Sequence, residues 1–263
     1  MRVIESIGKN ASDRFTECIG SVAFLGESAV EFAGMLLHPR RFRFGDFLLA
    51  FERASFDGLM ITAGIGFLLG VILAFQCAAA LRMFGVEVFI ADMLAIALFR
   101  ELGPIITAII LAGRSGSAFA AEIGTMKVNE ELDALSTMGL PPVRFLVMPR
   151  VAAAVLAMPI LTAVSELAGL IGGAIVLEVL GIPNEVYWRH VCAITKPFMV
   201  GMGLWKGAFF GLEIGLIGCC AGMRTTSTSD GVGKAATSAV VGSIIAIAVT
   251  DGLLAVACYL LRI

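Results

Sequence analysis

FRELGPIITAIILAGRSGSAFAAEIGTMKVNEELDALSTMGLPPVRFLVMPR, from Phe99 to Arg150, passes between two solvents. It begins inside an apolar segment that carries the charged pair Arg100-Glu101, and it leaves that segment at Gly113-Arg114-Ser115-Gly116. Polar and acidic residues follow from Glu122 to Asp133, and apolar sequence resumes after Pro149-Arg150. Charges within a membrane-length segment are costly and call for a functional reason. A charged helix between two such segments is exposed to water and open to a partner. The stretch therefore predicts a polar site within a bilayer, joined in sequence to a docking surface outside it.

Composition sets the class. Of 263 residues, 59% are hydrophobic and only 15% charged, against ~25% charged in soluble domains, so an integral membrane protein is expected. No basic patch is interleaved with aromatics, which argues against nucleic acid as a partner. The cysteines, Cys18, Cys77, Cys192, Cys219, Cys220 and Cys258, show no metal-ligand spacing. Neither a metal nor a structural disulfide is expected.

Hydropathy predicts five spans. Leu59 to Leu81 is free of formal charge, with Gly64, Gly66 and Gly70 as small residues for close helix packing and Gln76 as its one strongly polar side chain. The second span, about 88–112, holds Asp92, Arg100, Glu101 and Pro104. The third, about 151–177, holds Pro159 and Glu166; the fourth, about 197–222, holds Lys206 and Glu213; the fifth, about 238–261, holds Asp251. Between the third and fourth, Tyr187 and Trp188 suit a membrane interface. Before the spans, residues 14–37 follow a helical pattern. Arg14, Glu17, Ser21, Ser28 and Glu31 share one arc, into which Phe24 also falls, and Phe15, Ile19, Val22, Leu25, Phe32 and Leu36 cover the adjoining face. This reads as a helix lying on the membrane; packing on a soluble partner is the alternative. His38-Pro39 ends it, and a second short helix over 44–53 is expected. The domain reading is an N-terminal region of amphipathic interfacial helices, 1–56, and a five-span domain, 57–263. Glu27 and Glu31 interrupt the first apolar stretch, so no signal peptide is read there.

Basic residues predict the orientation. With the N-terminus cytoplasmic, thirteen Lys and Arg residues lie on the cytoplasmic side and four on the other, which favours a cytoplasmic N-terminus and a periplasmic C-terminus.

Four features carry candidate chemistry or contacts. Gly113-Arg114-Ser115-Gly116 resembles the nucleophile motif of intramembrane serine proteases, but no histidine lies in a later span to act as base. The plainer reading is a flexible exit from the second span, with Ser115 or Ser117 capping the next helix. Gly231-Val232-Gly233-Lys234 resembles the end of a phosphate-binding loop, but Thr228 and Ala235 stand where that loop needs Gly and Ser or Thr. No nucleotide site is read in this chain. Arg100 and Glu101 are ~100° apart on a helix, so each is expected to seek another partner, with Lys206, Glu213 or a ligand head group as candidates. A purely structural pair, each charge masking the other, is the plain alternative. Residues 117–138 read as a cytoplasmic helix whose Ile123, Met126, Leu132, Leu135 and Met138 recur at helical spacing and need covering.

ELGP (101–104), AGRSGSAFAAEIGTM (112–126), EELDALSTMG (130–139) and PR (149–150) resemble the MlaE/YrbE permease family, the membrane subunits of MCE-type ABC lipid transporters. The resemblance covers about 57–262. It implies an all-α membrane protein with five transmembrane helices, N-terminal interfacial helices and a cytoplasmic coupling helix at about 117–138. It further implies a homodimer in a bacterial inner membrane, a docked cytoplasmic ABC ATPase dimer, a periplasmic ring of MCE proteins and, in some systems, a STAS-domain protein. The chain itself needs no cofactor on this reading, since ATP and Mg belong to the ATPase subunit. The lipid-binding positions carried over are Leu73, Gln76, Arg100, Glu101 and Lys206, and the coupling positions are Glu122, Lys127, Glu130, Glu131 and Asp133. The expected function is ATP-driven phospholipid movement between the inner membrane and a periplasmic MCE partner, maintaining outer-membrane lipid asymmetry. The 78–93 connection and the 221–238 loop differ from the phospholipid-trafficking members, which keeps another lipid or a sterol open as substrate. An ion-coupled secondary transporter using Arg100, Glu101, Glu166, Lys206, Glu213 and Asp251 as a relay is the rival from another class.

Overall fold

The computed structural model describes residues 20, 22–34, 43–226 and 228–261. Among these the chain is helical, with no strand. Helix α1 covers 22–34. It is followed by α2 (Phe44–Leu81), α3 (Ile90–Ala97), α4 (Gly103–Leu111), α5 (Ser117–Val128), α6 (Glu131–Thr137), α7 (Met148–Val179), α8 (Asn184–Ile194), α9 (Pro197–Met223) and α10 (Ser229–Leu261). Five segments are long and apolar enough to cross a membrane: Phe44–Phe84, Glu87–Val128, Val143–Val179, Pro197–Met223 and Ser229–Leu261. This bears out the all-α, five-span expectation.

Three boundaries differ from the sequence reading. The short helix expected over 44–53 and the span from Leu59 are one 38-residue helix, α2. The proposed division at 56/57 therefore falls inside a helix. Gly58 does not end it, because that glycine is packed against Leu161 and Arg114. The Gly113–Gly116 motif is likewise no flexible break. It is a π-helical turn, Ala112–Gly116, inside a rod that runs on into α5. Neither serine caps a helix there: Ser115 is buried, and Ser117 Oγ donates to the carbonyls of Gly113 (2.6 Å) and Arg114 (2.9 Å), satisfying acceptors within the distorted turn. The coupling helix expected over 117–138 is two helices, broken at Asn129-Glu130, where Glu130 adopts a left-handed φ of 62°.

Small residues at four-residue spacing hold the spans together. In α2 the buried residues at that spacing are Ala54, Gly58, Thr62, Gly66, Gly70, Ala74 and Ala78, one continuous stripe. It lies along α7: a Cβ on Gly66 would come within 2.5 Å of the Ser165 carbonyl oxygen, and one on Gly70 would overlap the Gly169 carbonyl. Backbones that close make packing, rather than hydrophobicity, the source of association in lipid. Gly64, expected to share that face, points away from every neighbour. Helix α9 carries a similar stripe. Gly207, Gly211 and Gly215 lie on Thr162, Ala154 and Val151 of α7, and Gly218 lies on the Gly116 carbonyl. Helix α10 buries Ala235, Ala239, Ser243 and Ile247 and leaves Val241, Ile245, Val249 and Leu253 exposed.

Helix α1 turns Phe24, Ser28 and Glu31 toward the protein and exposes Val22, Leu25, Val30 and Phe32. The arc that reads as polar is thus the docked one, and Phe24 fits it by joining the core. The remaining residues of the 14–37 pattern, the break at His38-Pro39, and Cys18 lie outside the described residues.

Candidate functional site

The site begins with Pro104. A proline has no backbone N–H, so the carbonyl four residues earlier, on Arg100, loses its helical donor. Over Leu98–Leu102 the rod responds with a π-helical turn, in which Gly103 N–H bonds to the Leu98 carbonyl. The carbonyls of Phe99 and Arg100 then turn toward α9. Gly203 makes room for the first, since a Cβ there would overlap the Phe99 oxygen. Lys206 donates to the second at 3.2 Å.

Lys206 is the centre of the cluster. Its side chain is 1% exposed, and its ammonium also donates to Glu101 Oε2 at 2.6 Å and Asp251 Oδ1 at 2.8 Å. An ammonium has three donors, and here each meets an acceptor. Two carboxylates from different spans face one buried cation, and Arg100 Nε approaches Glu101 Oε1 at 3.8 Å. The four formal charges sum to zero, which lowers the cost of placing them in apolar surroundings. The Arg100 side chain remains 42% exposed. The cluster can therefore offer a cation to a ligand while Lys206 anchors the second, fourth and fifth spans.

Two further acids flank it. Glu166 of α7 is 1% exposed and packs where Cβ atoms on Gly103 and Gly203 would stand 3.1 Å from its Oε1, which has no hydrogen-bond partner among the described residues. Glu213, a candidate partner for Arg100 or Glu101, instead accepts from Thr250 Oγ1 at 2.5 Å.

The other expected lipid positions lie on α2. Leu73 is half-buried against the Leu94–Leu98 core, and Gln76 is exposed. The structure thus brings Arg100, Glu101 and Lys206 together and adds Asp251, which the sequence-derived site omits. Its signal was present: Asp251 is the one charged residue in the 238–261 span.

The five coupling positions divide. Glu130, Glu131 and Asp133 are exposed at the break and on α6, while Leu132 is buried beneath them. Met138, expected to be covered, is 65% exposed. Glu122 is half-exposed and paired with Arg150 (3.0 Å) and Arg53 (3.2 Å), and Lys127 donates to the Met223 carbonyl at the end of α9 (2.7 Å). Beside Glu122, Arg114 Nη2 bonds to Asp57 and to the Arg53 carbonyl, both at 2.7 Å. This second charged cluster ties α2, α5 and α7 at the α6 end of the bundle.

At the opposite end, α8 packs back on the spans. Tyr187 donates to the Leu170 carbonyl at 2.8 Å, and its burial pushes the phenol pKa up. His190 Nδ1 lies 3.2 Å from Asp92.

The chain is similar to known ABC transporter permeases. A probable ABC transporter permease of Synechocystis is 41% identical over 193 residues, 73% of this chain and 72% of that protein. One from Rickettsia felis is 34% identical over 255 residues, 97% and 96% of the two chains. The intermembrane phospholipid transport system permease protein MlaE of Haemophilus influenzae is 30% identical over 241 residues, 90% of each chain. The family model described as Permease MlaE matches residues 47–257, and the chain belongs to that family of ABC transporter permeases.

Proposed function

We propose that this chain is the membrane subunit of an ATP-driven phospholipid transporter, and that Arg100 receives the lipid phosphate. The observation that carries the reading is the unequal exposure of the two cations in one neutralised cluster: Lys206 is closed in by Glu101 and Asp251, whereas Arg100 remains accessible. A guanidinium presents a planar fork of donors suited to phosphate. Apolar residues of α2, with Leu73 nearby in sequence to Gln76, would hold the acyl chains. The relationship to a permease named for intermembrane phospholipid transport supports this substrate class.

On this reading two copies pair in a bacterial inner membrane, with the N-terminus cytoplasmic and the C-terminus periplasmic. An ATPase dimer docks on the exposed acidic segment at Glu130, Glu131 and Asp133, and it alone binds ATP and Mg. An MCE ring, with a STAS protein in some systems, completes the assembly, and the outcome is outer-membrane lipid asymmetry. The test is ATP-dependent transfer of labelled phospholipid by the purified native complex. Arg100→Ala is expected to reduce transfer at least tenfold while the complex stays assembled. Transfer at the unmodified rate, or a complex that lacks an ATPase, overturns the proposal.

A further inference from the structure

We infer that Glu166 is a positioning residue for the Arg100 site: it stands in the third span as a neutral carboxylic acid, and its O–H donates to the Phe99 carbonyl, holding the π-helical turn that carries Arg100. Pro104 frees more than one carbonyl. In the π-helical register the donor for Phe99 is residue 104, which has no N–H. The α-helical donor, the Gly103 N–H, already bonds to the Leu98 carbonyl. Phe99 is buried, which keeps bulk water from supplying a substitute, and a buried carbonyl left bare costs as much as a lost hydrogen bond. Lys206 takes the neighbouring Arg100 carbonyl at 3.2 Å. The Phe99 carbonyl needs a donor from another helix.

Glu166 of α7 stands where that donor is needed. A Cβ on Gly203 would lie 2.3 Å from the Phe99 oxygen and 3.1 Å from Glu166 Oε1, so the two oxygens border the same small gap. Gly103 of α4 also borders the carboxyl, since a Cβ there would stand 2.7 Å from Glu166 Cγ. Glu166 is buried, and its Oε1 has no hydrogen-bond partner among the described residues. Two acceptors on one gap repel unless one of them carries a proton. The surrounding charges do not favour a carboxylate. From α9, Lys206 spends its three donors on Glu101, Asp251 and the Arg100 carbonyl. From the second span, Arg100 approaches Glu101. Helix α2 meets this part of α7 with the uncharged Thr62, Gly66 and Gly70. The charges of Lys206, Arg100, Glu101 and Asp251 already sum to zero, so an ionised Glu166 would add an unpaired negative charge to the span. Protonated, it adds none and supplies the missing donor. Pro104 thus frees two adjacent carbonyls, and side chains of two different helices capture them. Pinning both carbonyls fixes the rotation of the turn, and with it the direction of the Arg100 guanidinium. That this guanidinium meets a lipid phosphate rests on the transport reading above.

Infrared difference spectroscopy of the detergent-purified full chain against Glu166→Gln tests the protonation. A carboxylic-acid C=O band that shifts in heavy water is expected in the parent and missing from the variant. No such band in the difference spectrum overturns the proposal. Positioning is read by native mass spectrometry with dioleoyl-phosphatidylethanolamine, following the binding event that Arg100→Ala removes. Glu166→Gln keeps an uncharged donor of the same shape and should bind close to the parent. Glu166→Leu fills the place without a donor and should weaken binding about tenfold, the size expected when one buried acceptor is stranded. Binding in Glu166→Gln as weak as in Glu166→Leu means that the charge was needed and overturns the proposal, as does parental binding in Glu166→Leu. Should Glu166→Leu not fold, Gly203→Ala leaves the acid in place and wedges a methyl group beside the two oxygens. The acid band should then move to higher frequency as the O–H loses its acceptor, and an unmoved band overturns the proposal. A parent that binds no phospholipid sinks the reading of Arg100 as the phosphate site, while the infrared band still decides the state of Glu166.

Discussion

The chain holds two charged clusters, one around Lys206 within the spans and one around Arg114 at the α6 end, and burial distinguishes them. In the first, a 1% exposed ammonium meets three acceptors contributed by two other helices. Removing one member strands the rest in apolar surroundings, so the cluster is fixed. In the second, Arg53 and Asp57 are mostly exposed, and water can replace each partner. Such a network depends less on any one exposed partner. The same residue types thus lock three helices in one place and line a cavity in the other.

The largest expected effect breaks the first cluster. Lys206→Met leaves Glu101 and Asp251 without their cation and should destabilise the purified chain by about 3–5 kcal/mol, read as a lowered thermal midpoint in detergent. Adding Glu101→Gln and Asp251→Asn should recover most of the loss; a single variant as stable as the parent would refute the locked arrangement. A smaller effect is expected on the seam along which α2 and α7 connect the two levels. Gly70→Val drives a Cβ into the Gly169 carbonyl and should cost about 1–3 kcal/mol by the same measurement. Gly64→Val, which meets nothing within 4 Å, serves as the neutral comparison. The smallest effect is expected in the second cluster: Arg53→Ala should change stability by about 0–1 kcal/mol, and less again at 1 M salt. A loss equal to that of Lys206→Met would erase the distinction between the clusters.

Much of the architecture was legible in the sequence because hydropathy and small-residue spacing are local. The charge-free run from Leu59 and the uncommon charges Arg100, Glu101, Lys206 and Asp251 stand out against apolar neighbours without any knowledge of the fold. Helix continuity was less legible. Glycine and serine at 113–117 read as a break, yet close approach of Gly116 to Gly218 and the bonds from Ser117 keep the rod helical. The true break came at Asn129-Glu130, where a non-glycine residue takes a left-handed conformation that composition does not announce.

That five apolar segments exist and that a few charges lie within them can be read from the amino acids alone, since both follow from the transfer energetics of short windows. Tertiary structure alone decided which charges meet. Lys206 selects Glu101 and Asp251, 105 and 45 residues away, rather than Glu213 two turns along its own helix. It also decided that Glu122 and Lys127 find partners on α2, α7 and α9 while Glu130, Glu131 and Asp133 remain outside. The physical reason is that a buried charge needs an opposite partner at contact distance, and contact between helices depends on rotation and close approach set jointly by all their packed stripes.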